Sequence, residues 1–275
     1  MLAELRTPSD KEFIQFQKMV EQVMGVYLPM HKKPLLNNRL SKRLAARQCR
    51  SFGEYFELIQ REGEQAEHQL ALELLTTNET YFFREPKHFD FLRDMVRQKG
   101  SSPTVLRVWS AASSTGEEPY SIAMVLREYC RCPWEVVASD INTQVLEQAR
   151  RAIYPAMRIK LIPEELKRKY CRKGTGKFQG QLRVVPELRT QVRFMRVNLN
   201  EPLPQELGRF DVIFIRNAMI YFERHTQMAV LDRLRRMLNS GGYIFIGHAE
   251  SLQGLSDQFD MVQPAIYRLK STGSG

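Results

Sequence analysis

VLRVWSAASSTGEEP, from Val105 to Pro119, runs from an apolar strand into small residues and on into a helix start. In nucleotide-type sheets such a turn lets backbone come close to a ligand. Ala111, Ala112, Ser113 and Gly116 supply the smallness without a complete G-x-G-x-x-G pattern. Taken alone, the turn reads equally well as tight packing or as a ligand approach. Asp140 narrows the choice. It follows the next expected strand, Glu135–Ser139, and stands 140 − 116 = 24 residues after Gly116. An acid that binds ribose hydroxyls is expected roughly 20 residues on; the competing reading is a surface aspartate capping the following helix. Glu118 would oppose a phosphate at the positive end of its helix. A carboxylate there suits a cation, and S-adenosylmethionine carries an ammonium and a sulfonium and has no phosphate.

Strands and helices alternate outward from this stretch. Thr104–Trp109 predicts a strand, Glu118–Cys130 a helix, and Thr143–Arg151 the helix after Asp140. Val192–Val197 and Phe210–Ile215 predict further strands, and Thr226–Leu238 a helix. Gly241-Gly242 then leads into strand Tyr243–Gly247, and Ala265–Leu269 can close the sheet. This order indicates a doubly wound α/β sheet with helices on both faces. The rhythm breaks between Ile162 and Thr190, where a glycine-rich turn and Gln181–Val185 suggest an inserted hairpin unit. The first third reads helical, with caps at Ser9/Glu12 and Ser51/Glu54 and a helix opened by Pro34. No strand pattern precedes about residue 103, so a small helical domain is expected.

Lys and Arg total 41 against 31 Asp and Glu, a net charge of +10. The surplus favours an acidic partner and does not say which. The four cysteines, Cys49, Cys130, Cys132 and Cys171, lack zinc-type pairs and read as reduced thiols. Nor do His31, His68, His88, His225 and His248 show metal-ligand spacing. The charged start lacks a signal peptide's apolar run, and no stretch reaches the roughly 20 apolar residues of a membrane span. A cytoplasmic protein without membrane insertion is expected.

Five stretches together carry a resemblance. TTNETYFFRE (Thr76–Glu85), WSAASSTGEEPYSIA (Trp109–Ala123), ASDI (Ala138–Ile141), IRNAMIYF (Ile215–Phe222) and GHAES (Gly247–Ser251) stand in one order along the chain. In these the chain closely resembles the bacterial chemotaxis receptor (protein-glutamate) methyltransferases over nearly its whole length. The resemblance implies a Rossmann-like class I methyltransferase sheet at 91–275, an all-α domain at 1–90 and an inserted β-subdomain at about 165–190. It implies S-adenosylmethionine as cofactor, S-adenosylhomocysteine as product, and no metal. Asn78, Thr80 and Arg84 would close over the cofactor; Glu118, Asp140, Asn198, Leu199, Arg216 and Asn217 would contact it. We assign the ribose to Asp140, the amino group to Glu118 and the adenine edge to Asn198-Leu199. Glu79, Tyr81 and Ala249 depart in a minor way from the family pattern.

Arg84 and Tyr221 are the candidates beside the reacting groups: Arg84 to hold a carboxylate, Tyr221 to position the acceptor oxygen. Their alternatives are a structural salt bridge and a core aromatic beside Phe222. The resemblance also implies receptor recognition by the helix at 34–48, where Arg39, Lys42, Arg43 and Arg47 offer positive charge and Ala45 departs. It further implies a docking site for a receptor C-terminal peptide at the insert and recruitment to receptor arrays; a monomer is the simplest expectation. Two rival classes are a nucleic-acid methyltransferase and a non-catalytic cofactor-binding regulator. Against the first, Ile215–Tyr221 lacks the Asn/Asp-Pro-Pro-aromatic motif common in enzymes that methylate base nitrogens. The second is disfavoured by the presence of Asn78, Arg84, Glu118, Asp140 and Asn217 together.

Overall fold

The computed structural model describes residues 7–270. Two compact units divide the chain: the first holds the residues up to Thr77 together with Tyr221–Thr226, the second Asn78–Ile220 and the chain from Gln227 onward. The helical unit therefore ends at Thr77, earlier than the expected residue 90.

Helix α1 (Asp10–Met24) starts in the expected capping box, with Ser9 and Glu12 satisfying each other's backbone N–H groups. Its spacing buries Phe13, Phe16, Met19, Val20 and Met24 on one face, and Gly25 ends it at φ 73°. Helix α2 (Lys33–Ala46) has Pro34 in its first turn and buries Leu36, Leu40 and Leu44. Helix α3 (Phe52–Ile59) is capped by the Ser51 hydroxyl, and α4 (Gln65–Leu75) follows. Phe16 packs edge-on against Phe52 and stacks on Tyr55.

The basic row on α2 is tied into this unit. Arg43 donates twice to the buried Glu67 carboxylate, at 2.9 and 2.6 Å, and Arg47 reaches the same group at 3.4 Å. The Tyr55 hydroxyl adds a bond of 2.7 Å. Arg39 donates to the carbonyls of Leu74 and Thr76 at the end of α4. Lys42 is exposed. The Arg43 guanidinium, foremost, holds Glu67 below the usual carboxylate range.

The second unit opens with α5 (Pro86–Lys99), followed by β1 (Leu106–Ser110), α6 (Glu117–Tyr129), β2 (Trp134–Asp140) and α7 (Thr143–Arg151). Then come β3 (Ile153–Pro155), α8 (Glu164–Tyr170), β4 (Cys171–Lys173), β5 (Gln181–Val184), α9 (Pro186–Arg189) and β6 (Val192–Arg196). The chain continues through β7 (Phe210–Ile215), α10 (Arg224–Arg236), β8 (Leu238–Ile246), β9 (Phe259–Gln263) and β10 (Ile266–Leu269). Seven strands form one sheet in the order β6-β2-β1-β7-β8-β10-β9. The pairs from β6 to β8 are parallel, and β10 pairs antiparallel with β8 and β9. Val108, Trp109, Phe214 and Phe245 lie fully buried in its middle.

The insert is larger than a hairpin. Strands β3, β5 and β4 form a separate three-stranded sheet that begins at Ile153, ahead of the expected segment. Gly174 is required in its turn, because a Cβ there would come within 2.1 Å of the Phe178 carbonyl oxygen. All four cysteines are free thiols, with the Cys130 and Cys132 sulfurs 3.2 Å apart.

Removing Arg43 strands a buried carboxylate. Arg43→Ala is expected to lower unfolding free energy by roughly 2–3 kcal/mol, at the low end for a buried pair because Arg47 remains. Glu67 has a depressed folded pKa, so its contribution is complete above the ordinary carboxylate pKa of about 4.3 and fades as pH falls through the folded value. Urea titrations from pH 7 to 3 check this: the gap between wild type and Arg43→Ala should narrow toward acid.

Candidate cofactor site

The strand order reverses at β1, which has β2 on one side and β7 on the other. Ligands of open parallel sheets bind outside the carboxyl ends of the strands at such a switch point. Here those ends are Ser110-Ala111 and Ile215-Arg216, joined where the Ala111 N–H donates to Phe214 at 2.8 Å. Gly116 has φ 95°, and a Cβ on it would meet the Ala149 side chain at 2.7 Å and the Tyr154 hydroxyl at 2.9 Å. Its smallness therefore serves packing, the first of the two readings open from sequence.

Glu118, in the first turn of α6, accepts from the Ser110 hydroxyl at 2.7 Å and from Arg216 at 3.1 Å. Burial raises its pKa, and Arg216 opposes that shift. Arg216 itself is buried and also lies 3.2 Å from the Glu85 carboxylate, donates to the Arg84 carbonyl and faces the Phe89 ring. Two expected cofactor contacts, Glu118 and Arg216, are thus partners of each other. Asp140 ends β2, where its carboxylate accepts from the N–H groups of Ser114 at 2.9 Å and Asn142 at 3.0 Å. Ser114 takes φ 47° to make that bond, and its hydroxyl donates to the Asn78 carbonyl.

The remaining candidates fall at several places. Asn198 and Leu199 are nearly buried after β6, where Asn198 bonds Glu201 and the Asn200 N–H. Asn217 has φ 57°, and its N–H donates to Glu250 at 2.9 Å. Thr80 and Arg84 are half-buried; Arg84 donates to the Glu79 carbonyl and lies over the Tyr81 ring. Tyr221 belongs to the helical unit, where its carbonyl accepts from the Tyr27 N–H at 2.8 Å. The acids Glu118 and Asp140 thus stand on one edge of the second unit, while Tyr221 does not belong to that unit.

Comparison with known proteins gives the family. Residues 78–268 match the CheR methyltransferase SAM binding domain, and residues 11–76 match the CheR methyltransferase all-alpha domain. The chain belongs to the CheR methyltransferase family. A chemotaxis protein methyltransferase 2 of Pseudomonas aeruginosa is 42% identical over 260 residues, covering 94% of this chain and 92% of that protein. The chemotaxis protein methyltransferases of Salmonella typhimurium and Escherichia coli are each 41% identical over 265 residues, covering 95% of this chain and 91% of theirs. The CheR domain division at 76/78 coincides with the boundary between the two compact units.

Three groups in this CheR fold were not singled out from sequence. Glu117 is fully buried beside Glu118 and accepts from Thr115 at 2.6 Å and Arg158 at 2.7 Å. Glu250 accepts from the N–H groups of Gly247, Asn217 and Ile220, tying down the loop after β7. Its position three residues after a glycine inside GHAES was the available signal. His88 and His248, which show no metal-ligand spacing in the sequence, come together with Glu85 in the fold. Burial, with Arg216 adding to it, pushes His88 down to about 3, so this imidazole is neutral at physiological pH.

Arg216→Met removes the cation that both Glu85 and Glu118 face. Urea denaturation should show a loss on the order of 3–5 kcal/mol. Arg216→Lys retains the charge and loses the planar fork, so its loss should be smaller but clear. Equal stability of all three proteins would show that the buried pairs contribute nothing.

Proposed function

We propose that this protein transfers the methyl group of S-adenosylmethionine to glutamate side-chain carboxylates of chemoreceptors, forming methyl esters and S-adenosylhomocysteine. The observation that carries the reading is the start of α6, where the Glu118 carboxylate occupies the first turn at the switch point. An acidic helix start disfavours phosphate and favours a cationic ligand. Relatives named chemotaxis protein methyltransferase, alike over nine-tenths of both chains, support the acceptor.

When bound, the cofactor supplies a methyl group activated by a positive sulfur. The chain's own residues bind and orient. Asp140, held by two backbone donors, takes the ribose hydroxyls; Glu118, its charge set against Arg216, takes the amino group; Asn198 and Leu199 face the adenine. Asn78, Thr80, Arg216 and Asn217 complete the cofactor contacts. A glutamate acceptor has a reference pKa near 4.3 and is already an anion at neutral pH. A general base is unnecessary, and the work is alignment and exclusion of water. Arg84 holds a carboxylate and the Tyr221 hydroxyl positions the acceptor oxygen. Attraction between carboxylate and sulfonium vanishes as charge cancels, so tight ground-state binding would not speed the step.

The acceptor is an acidic receptor helix met by Arg39, Lys42 and Arg43 on α2 and by Arg47 just past its end. Arg43 and Arg47 bring charge while remaining clasped to Glu67 and Glu64, and exposed Lys42 is the residue to probe. β5 is the middle strand of the inserted sheet, so Gln181–Val184 has no free edge. The insert takes a receptor C-terminal peptide by strand addition along the edge strand β4, near the basic residues Arg172, Lys173, Lys177 and Arg183. Such tethering raises effective receptor concentration without entering the chemistry. The protein acts in the cytoplasm as a monomer recruited to receptor arrays.

Radiolabelled methyl should appear on receptor cytoplasmic domains and be released as methanol by base; label stable to base would eliminate the ester. Calorimetry should show Asp140→Ala weakening cofactor binding by about 1.5–3 kcal/mol, tenfold or more. Lys42→Glu should raise the receptor concentration needed for half-maximal rate at unchanged cofactor affinity, and added salt should do the same to wild type. Titration with C-terminal receptor peptides tests the insert, and silence from every peptide would remove the tether alone.

A further inference from the structure

His88 is 1% exposed, and neither ring nitrogen has a hydrogen-bond partner. Leaving one buried polar group unsatisfied costs about 1–3 kcal/mol, so two orphaned nitrogens on one ring call for an occupant. Glu85 Oε2 and Arg216 Nε, close by, are likewise buried without a hydrogen bond. Glu85 caps α5 and His88 lies one turn on, so the two share a face of the helix start. His248 follows β8, and its ring lies 5.2 Å from that of His88.

One ligand atom from each of Glu85, His88 and His248 lies within 4.8 Å of the others. Glu85 Oε2 is 3.5 Å from His88 Nδ1 and 3.9 Å from His248 Nε2. Ligands at about 2.0–2.1 Å from a tetrahedral zinc ion stand roughly 3.3–3.4 Å from one another. The first distance already fits. The second closes with a small swing of the His248 ring, which is 51% exposed and has room to move.

We propose that Glu85, His88 and His248 bind a first-row divalent transition ion, with zinc the best match to two imidazoles and one carboxylate. Three protein ligands leave a fourth position for water on the exposed His248 side. Arg216, 3.2 Å from the same Glu85 oxygen, is the opposing charge and keeps the site weaker than a closed structural centre. The ion is separate from methyl transfer, which needs no Lewis acid at an acceptor that is already an anion. The proposal stands whether or not the acceptor assignment holds.

The test is calorimetric titration of the full chain with Zn²⁺, in a Cys130→Ser/Cys132→Ser background so that the adjacent thiols cannot take the ion. One ion per chain is expected, with affinity lowered about tenfold or more in both His248→Ala and Glu85→Gln. Co²⁺ should give tetrahedral ligand-field absorption that is lost in His248→Ala. His88→Ala opens a cavity and can fail to fold; His248→Ala, at a half-exposed position, decides in that case. No bound ion, or equal affinity in His248→Ala, would overturn the proposal and leave water as the partner of His88.

Discussion

A guanidinium in a protein interior must be surrounded by anions and acceptors, or its desolvation goes uncompensated. Arg216 meets that requirement with Glu118 from the start of α6, Glu85 from the cap of α5 and the Arg84 carbonyl. Two segments far apart in the chain, Arg84-Glu85 and the start of α6, are therefore held to the end of β7 by one cation. Neither can shift without leaving a buried charge behind. The candidate cofactor edge inherits its rigidity from this cluster, since the same Glu118 also fixes the Ser110 hydroxyl at the end of β1.

The sheet was legible because its inner strands are apolar runs bounded by small or polar residues, and both N-terminal caps were legible because capping is local chemistry. Strand β9 left no such trace: it lies at the sheet edge with four of its five residues exposed, so no burial pattern marks it. Helix α5 carries no such mark at its start, where Glu85 adopts a left-handed conformation and makes no side-chain cap. Asp140 was readable from spacing, yet its two backbone donors depend on the turn at Ser114, which no local rule announces. The Glu118–Arg216 pair joins residues 98 positions apart and is invisible without the fold.

Charge counting was informative in total and misleading in detail. Of the four basic residues expected to offer charge to a receptor, Arg39, Arg43 and Arg47 have partners inside the helical unit. A side chain can hold the fold and still project positive potential, and the two roles separate only when charge and geometry are varied independently.

The inserted sheet lies within a single crossover: β6 begins 52 positions after β2 ends (192 − 140). Loop-closure entropy grows slowly with length, by about 0.6 kcal/mol for each doubling, so the main sheet hardly registers the extra chain. In evolutionary terms this crossover is a socket, where a module can be enlarged, exchanged or lost while the strand order survives. The freedom stops at two residues. Tyr154 donates to the Thr115 carbonyl and Arg158 pairs with Glu117, so any replacement module must still brace the turn that follows β1.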